Sequence, residues 1–375
     1  MLTFLSVALL IYASMHAYAL GKAWMAFPHS PGLALALLLA GIVLTSSPLI
    51  VWYMERQSWH RATVPTAWLS YTWMGYLFLF LCIGLLFDLS HTFTTLLHFN
   101  WPLSETQTFS TVALLALALL GYGFLEARQI RVEEVTITTP KLASGRVTIA
   151  QISDLHLGIM QGDEFLERIL GKLRELKPDI LVATGDIVDG QGDDFDTLAR
   201  HFQTYSPPLG AYAVTGNHEY YAGLEHSLRF LHNAGFTVLR GESAKAGGIV
   251  LVGVDDHTVI STGQPVNLDT RKALAAVTAH DFIVLLKHQP VVDNATPFDL
   301  QLSGHIHGGQ IFPFVYLTRL TYHVHSGLTE LADGRKLYVS RGAGTWGPPI
   351  RLFAAPEITL ITLAGNNPRP NNGEK

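Results

Sequence analysis

The chain has 375 residues and a formal net charge of −5, and without a basic stripe or Lys/Arg run this argues against nucleic acid as a partner. Its single cysteine, Cys82, excludes disulfides and thiolate metal sites, and the length suits two domains. Residues 1–125 carry only six charged side chains (Lys22, Glu55, Arg56, Arg61, Asp88 and Glu105), too few for an ordinary soluble domain.

Four apolar stretches open the chain: residues 2–20, 33–54, 67–87 and 109–125. A membrane span needs about 20 mostly apolar residues, so these predict a transmembrane domain over 1–128 with about four spans, the fourth the shortest. Trp52, Tyr53, Trp68, Tyr71 and Trp73 fall near predicted span ends, where aromatic belts sit. Ala17-Tyr18-Ala19 has the form of a signal-peptide cleavage site, but no positive charge precedes the first stretch, which favours an uncleaved span. Arg56 and Arg61 follow the second span, Arg128 and Arg131 follow the fourth, and the loop between the third and fourth has no Lys or Arg. The excess of positive charge places both termini in the cytoplasm, with Lys22 dissenting. Asp88, His91 and His98 read as interfacial loop residues rather than an intramembrane relay.

After Leu125 short apolar runs alternate with amphipathic segments. Strands are expected at 147–152, 180–183, 211–214, 249–254, 282–286, 300–302, 337–340 and 358–363. Helices are expected at 165–176, 195–202, 224–231 and 268–277, the first ended by Pro178. Such alternation predicts an α/β domain over 129–364. The Asn/Pro-rich stretch 365–375 reads as a disordered tail.

Polar residues collect just past the carboxyl ends of five strands. They are Ser153-Asp154-Leu155-His156, Gly185-Asp186-Ile187-Val188-Asp189, Gly216-Asn217-His218-Glu219, Lys287-His288-Gln289-Pro290 and Gly304-His305-Ile306-His307. Open α/β sheets bind ligands at that edge. Imidazole with carboxylate suits divalent Mn, Fe or Zn. Asp154, His156, Asp186, Asn217, His288, His305 and His307 make seven candidate ligands, more than one tetrahedral ion needs. Two ions about 3.5–4 Å apart sharing a carboxylate would use them all, clamp a phosphoryl group and acidify a water. Each motif alone is commonplace: a Gly-Asp pair is often a turn, and Gly-Asn-His can be a turn or a helix cap. Five in order at strand ends are not. Gly342-Ala343-Gly344-Thr345-Trp346-Gly347 has the G-x-G-x-x-G form, but Pro348-Pro349 follows where a pyrophosphate-binding helix would open.

The order D-x-H, G-D-x-x-D, G-N-H-E, H-x-P, G-H-x-H resembles the calcineurin-like metallophosphoesterase superfamily over roughly 146–364. The stretch from Gly342 through Gly347-Pro348-Pro349-Ile350-Arg351 to Pro356-Glu357-Ile358-Thr359 is similar to a bacterial, membrane-anchored branch. The resemblance implies a two-sheet β-sandwich flanked by helices. It also implies one metal on Asp154, His156 and His307, the other on Asn217, His288 and His305, and Asp186 bridging. His218 would contact phosphate or protonate the leaving group, with Asp189 and Glu219 as orienting residues.

These readings predict a hydrolase attacking phosphorus in line. The bilayer is its expected partner, the inner membrane of a bacterium its location, and a lipid-linked phosphoester or pyrophosphate at the cytoplasmic face its substrate. The alternatives are a tethered phosphodiesterase or protein phosphatase for soluble substrates, and a transporter or sensor with a regulatory phosphoesterase domain.

Overall fold

The structure is a computed structural model that describes residues 2–142, 145–190, 195–257, 260, 263 and 266–365, with side chains from Ser6 onward. All but Gly365 of the expected tail lies outside the described residues. The chain divides into two compact units, Met1–Glu126 with Trp346–Leu352, and Ala127–Thr345 with the residues from Phe353 onward.

The first unit is built on α1 (Leu2–Ala26), α2 (Pro31–Arg56), α3 (His60–Leu96) and α4 (Glu105–Arg128). Ser30 caps α2, its Oγ accepting from Leu33 N at 3.1 Å, and Pro31 stands at the first helical position, where no donor is lost. Among the described residues α2, α3 and α4 are long and apolar enough to cross a membrane. The first expected span is the helix α1, whose first side chains lie outside those described; of the four expected spans, three meet the length and hydropathy criterion among the described residues.

Asp88 and His91, expected in a loop, belong to α3, which continues to Leu96. The apolar face carries on through Leu89 and Phe93. The hydroxyls of Ser90, Thr92 and Thr95 donate to the carbonyls of Leu86, Asp88 and His91 four residues back. Folding back in this way lets polar residues stay in an apolar helix. Asp88 forms an ion pair with Lys22 of α1 and accepts from Tyr18 Oη at 2.7 Å. Trp73 Nε1 donates to His16 Nε2 at 2.9 Å.

The second unit contains strands β1 (Arg131–Thr139), β2 (Arg146–Ile152), β3 (Ile180–Ala183), β4 (Ala211–Ala213), β5 (Thr237–Val238) and β6 (Glu242–Ala246). It continues with β7 (Ile249–Gly253), β8 (Phe282–Leu286), β9 (Leu300–Ser303), β10 (Gly327–Glu330), β11 (Lys336–Val339) and β12 (Glu357–Gly365). Its helices are α5 (Asp163–Leu176), α6 (Phe195–Gln203), α7 (Asn217–Tyr221), α8 (Leu224–Asn233) and α9 (Val315–Thr321). One sheet has the order β1-β12-β2-β3-β4-β5 and the other β10-β11-β9-β8-β7-β6. Alternate residues of β2 and β3 point to opposite faces. Val147, Ile149 and Val182 join Leu251, Val284 and Leu300 of the second sheet in one core. Ala150, Ile152 and Leu181 meet Leu166, Ile169, Leu198 and Phe230 of α5, α6 and α8 in another. Burying each such aliphatic side chain contributes about 1.5–3 kcal/mol. The result is the sandwich flanked by helices that the resemblance implied.

The expected helix at 268–277 is a run of turns. Leu274 and Val277 still cover the outer face of β7 and β8, so the apolar spacing is satisfied without a helix. The Asp269 carboxylate accepts from the backbone and side chain of Arg271, a local bond that competes with a helical start.

Candidate metal centre

The carboxyl ends of β2, β3, β4, β8 and β9 deliver the five motifs to one place. Asp154 and His156 follow β2, Asp186 and Asp189 follow β3, and Asn217, His218 and Glu219 begin α7 after β4. His288 follows β8, and His305 and His307 follow β9. Asp154, His156, Asp186, His305 and His307 all have positive φ, between 50° and 76°. Non-glycine residues enter that region at a cost, and they cluster where surrounding structure holds a site in shape.

Two groups emerge. Asp154, His156 and His307 form the first, with His156 Nε2 and His307 Nε2 at 3.1 Å and His307 Nε2 3.5 Å from Asp154 Oδ1. Asp186, His288 and His305 form the second, with His288 Nε2 3.1 Å from Asp186 Oδ2 and 3.2 Å from His305 Nδ1. Asn217 is buried, and its Oδ1 has no hydrogen-bond partner. Ring nitrogens 3.1 Å apart beside buried carboxylates offer ligand atoms that could hold divalent cations. The donor set, imidazole and carboxylate without sulfur, fits divalent transition metals.

The surrounding bonds hold these side chains in place. His288 Nδ1 donates to Thr184 O at 2.8 Å, which turns Nε2 toward Asp186. His218 Nδ1 donates to Asp189 Oδ1 at 2.8 Å, and Asp189 Oδ2 lies 3.7 Å from His156 Nδ1. Glu219 touches no histidine ring by hydrogen bond. Its buried carboxylate accepts the backbone N–H groups of Asp186, Ile187, Val188 and Gly216 at 2.6–3.2 Å, clamping the β3 loop to the start of α7. A Cβ at Gly216 would lie 2.2 Å from Asp186 Oδ1, so only glycine lets the two loops approach.

Burial raises the Asp186 carboxyl, but the charges of His288 and His218 outweigh it and hold it well below the usual range. Burial opposes charge on His288 too, yet Asp186 beside it lifts it well above an ordinary imidazole. His218 is raised to about 9, because Asp186 and Asp189 overcome its burial. His305, buried and facing His288, falls to about 4. Asp154 is raised, with burial the main cause. Carboxylates packed this densely away from water need positive charge among them, from protons or from metal.

Two further contributors lie beyond the five motifs. Asp256, buried just after β7, accepts from Gln289 Nε2 at 3.0 and 3.1 Å beside His288. It too lies past a strand's carboxyl end, the signal that marks the other motifs. Ala343 N and Gly344 N donate to Ser153 O and Asp154 O, both at 2.9 Å. The glycine-rich stretch thus fastens the Asp154 loop. His201, His226, His232, His257 and His280 are absent from both groups and from a third, His156 with Asp189 and His218.

The family model for the calcineurin-like phosphoesterase matches residues 147–309. A metallophosphoesterase of Aquifex aeolicus is 43% identical over 256 residues, covering 67% of this chain and 98% of its own. One of Helicobacter pylori is 34% identical over 259 residues, 67% of this chain and 70% of its own. A transmembrane protein with metallophosphoesterase domain from Danio rerio is 34% identical over 272 residues, 68% of this chain, which spans 62% of that protein. With apolar helices ahead of a sandwich that gathers metal-ligand side chains at one edge, the chain belongs to the calcineurin-like metallophosphoesterase family, as a membrane protein that hydrolyses phosphoesters with metal.

Proposed function

We propose that the protein hydrolyses a phosphoester or pyrophosphate bond in a lipid-linked substrate at the cytoplasmic face of a bacterial inner membrane. Asp154, His156 and His307 would hold one divalent ion, Mn, Fe or Zn, and Asn217, His288 and His305 another, with Asp186 shared between them. The observation that supports this most is the convergence of two imidazole–carboxylate groups beside the orphaned Asn217 Oδ1. When bound, such ions supply Lewis acidity and lower the pKa of a water.

The protein's own groups supply the rest. His218, outside the seven ligands, has its Nδ1 engaged by Asp189, which fixes the ring that in this reading contacts the phosphoryl group. Against its burial, Asp186 and Asp189 beside it favour its protonated form, which can deliver a proton to the leaving oxygen. Asp189 and Glu219 fix positions, the first of the His218 ring and the second of the Asp186 backbone.

Lipid linkage is supported by connectivity. Helix α4 ends at Arg128 and β1 begins at Arg131, so two residues, a reach of at most about 11 Å, separate a membrane helix from the first strand of the catalytic unit. A cytoplasmic face is supported by Arg56, Arg61, Arg128 and Arg131, and Lys22, the dissenting charge, is neutralised by Asp88. The bacterial setting is supported by the Aquifex and Helicobacter relatives. Full-length protein should turn over a lipid-linked phosphodiester faster than its delipidated analogue; equal turnover would remove the lipid-linked reading. A C-terminal reporter active only outside the cytoplasm would overturn the orientation.

A further inference from the structure

The chain makes an excursion beside the metal centre that the catalytic groups leave unused. It starts where the family match ends: the short turn His307–Gly309 runs into residues 310–321, and a Cβ at Gly309 would stand 2.6 Å from Val315 Cα. It returns at Tyr322, whose hydroxyl donates to Gln289 Oε1 at 3.1 Å and whose ring centroid lies 5.6 Å from that of His305. Both ends therefore sit on the site.

Between those ends, no residue of α9 is buried. Tyr316, Leu317 and Leu320 share a face at helical spacing and are 58%, 57% and 81% exposed. Phe312 lies 5.8 Å, centroid to centroid, from both Tyr316 and Phe353, and Phe353 is 70% exposed. Phe314 adds to the patch, and the Arg319 guanidinium lies 6.0 Å from the Tyr316 ring. Contiguous exposed apolar surface of this kind marks an interaction site. Aromatic rings and leucines with an arginine match the boundary between headgroups and acyl chains, where apolar side chains sink in and guanidinium meets lipid phosphate. A bilayer is at hand, since two residues join α4 to β1.

We propose that residues 312–320, with Phe353, dock into the bilayer surface and hold the rim of the metal centre at headgroup level, beside the apolar part of a lipid-linked substrate. The substrate half of this inference rests on the lipid-linked reading above; the docking half does not.

The test uses full-length protein in phosphatidylcholine vesicles containing anionic lipid. A nitrobenzoxadiazole label is placed at Leu320→Cys in a Cys82→Ala background, with Arg271→Cys as an exposed, charged control on the same unit. Lipids with a shallow doxyl quencher should quench the label at 320 and spare the one at 271. Quenching at neither position, or equally at both, overturns the docking, as does cross-linking between copies through position 320 without quenching. The double variant Leu317→Ser/Leu320→Ser should lose about tenfold in turnover of a lipid-linked phosphodiester, a ratio set by lost apolar burial, and keep turnover of a soluble nitrophenyl diester. Equal loss on both substrates would make the segment part of the catalytic scaffold and overturn the proposal. Quenching at 320 with equal wild-type turnover of both substrates upholds the docking and overturns only the lipid-linked reading.

Discussion

Several polar groups of α1 and α3 in the membrane unit pair with each other, whereas those at the sandwich edge of the catalytic unit converge with donors and acceptors left over. Lys22 answers Asp88, Tyr18 donates to the same carboxylate, and His16 Nε2 accepts the Trp73 N–H. Each of these contacts is complete within the protein. At the sandwich edge, two imidazole nitrogens face each other across 3.1 Å and Asn217 Oδ1 has no partner. Five loops reach the site, and five of their candidate ligands are held at positive φ. Polarity that closes on itself stabilises a helix bundle. Polarity that converges without closing marks the place where something else must bind.

The sharpest way to break that contrast is to remove a convergent group. Asp186→Asn takes away the carboxylate proposed to be shared between the two ions. Metal content should collapse and activity should fall by well over the roughly 10–100-fold typical of losing a residue that merely supports a ligand. Full activity with full metal content in this variant would show that Asp186 is not shared. His218→Ala should come next, losing about 10²–10⁴-fold in rate while retaining metal. Its defect should shrink for substrates with very good leaving groups; metal loss instead would make His218 a ligand. Glu219→Gln should weaken metal affinity by about 10–100-fold, because an amide cannot accept all the backbone N–H groups that clamp the Asp186 loop. Unchanged affinity in a metal titration would refute that role.

The smallest effect belongs to the membrane unit. Lys22→Met breaks the pair with Asp88, whose side chains are 20% and 35% exposed, and should cost roughly 1 kcal/mol of stability. Turnover of a soluble diester should be unchanged. A large loss of turnover would mean that the bundle takes part in catalysis, and the contrast between the two units would fail.

The sandwich and its site were legible because their signals are redundant. Apolar runs place strands, and polar residues recur past the carboxyl ends, so errors at one strand are corrected by the others. Six of the seven candidate ligands fall in clusters at those strand ends, and Asn217 follows β4 with its Oδ1 buried and unpartnered. Asp256 obeys the same rule but follows β7 without a histidine or glycine motif to draw attention. Short elements such as β5 and α7 bury too few residues to leave a period. The turn run at 268–277 shows that a helical spacing of Leu274 and Val277 is only a demand for burial, which turns can also meet. In the membrane unit hydropathy marks the spans but cannot see that Lys22 and Asp88 meet, which is why Asp88 reads as a loop residue although it lies within α3.

The central claim is that the sandwich edge is completed by two divalent ions. Elemental analysis of active, full-length protein tests it most directly. The account predicts two ions per chain, both lost in Asp186→Asn; fully active protein carrying one ion or none would contradict it.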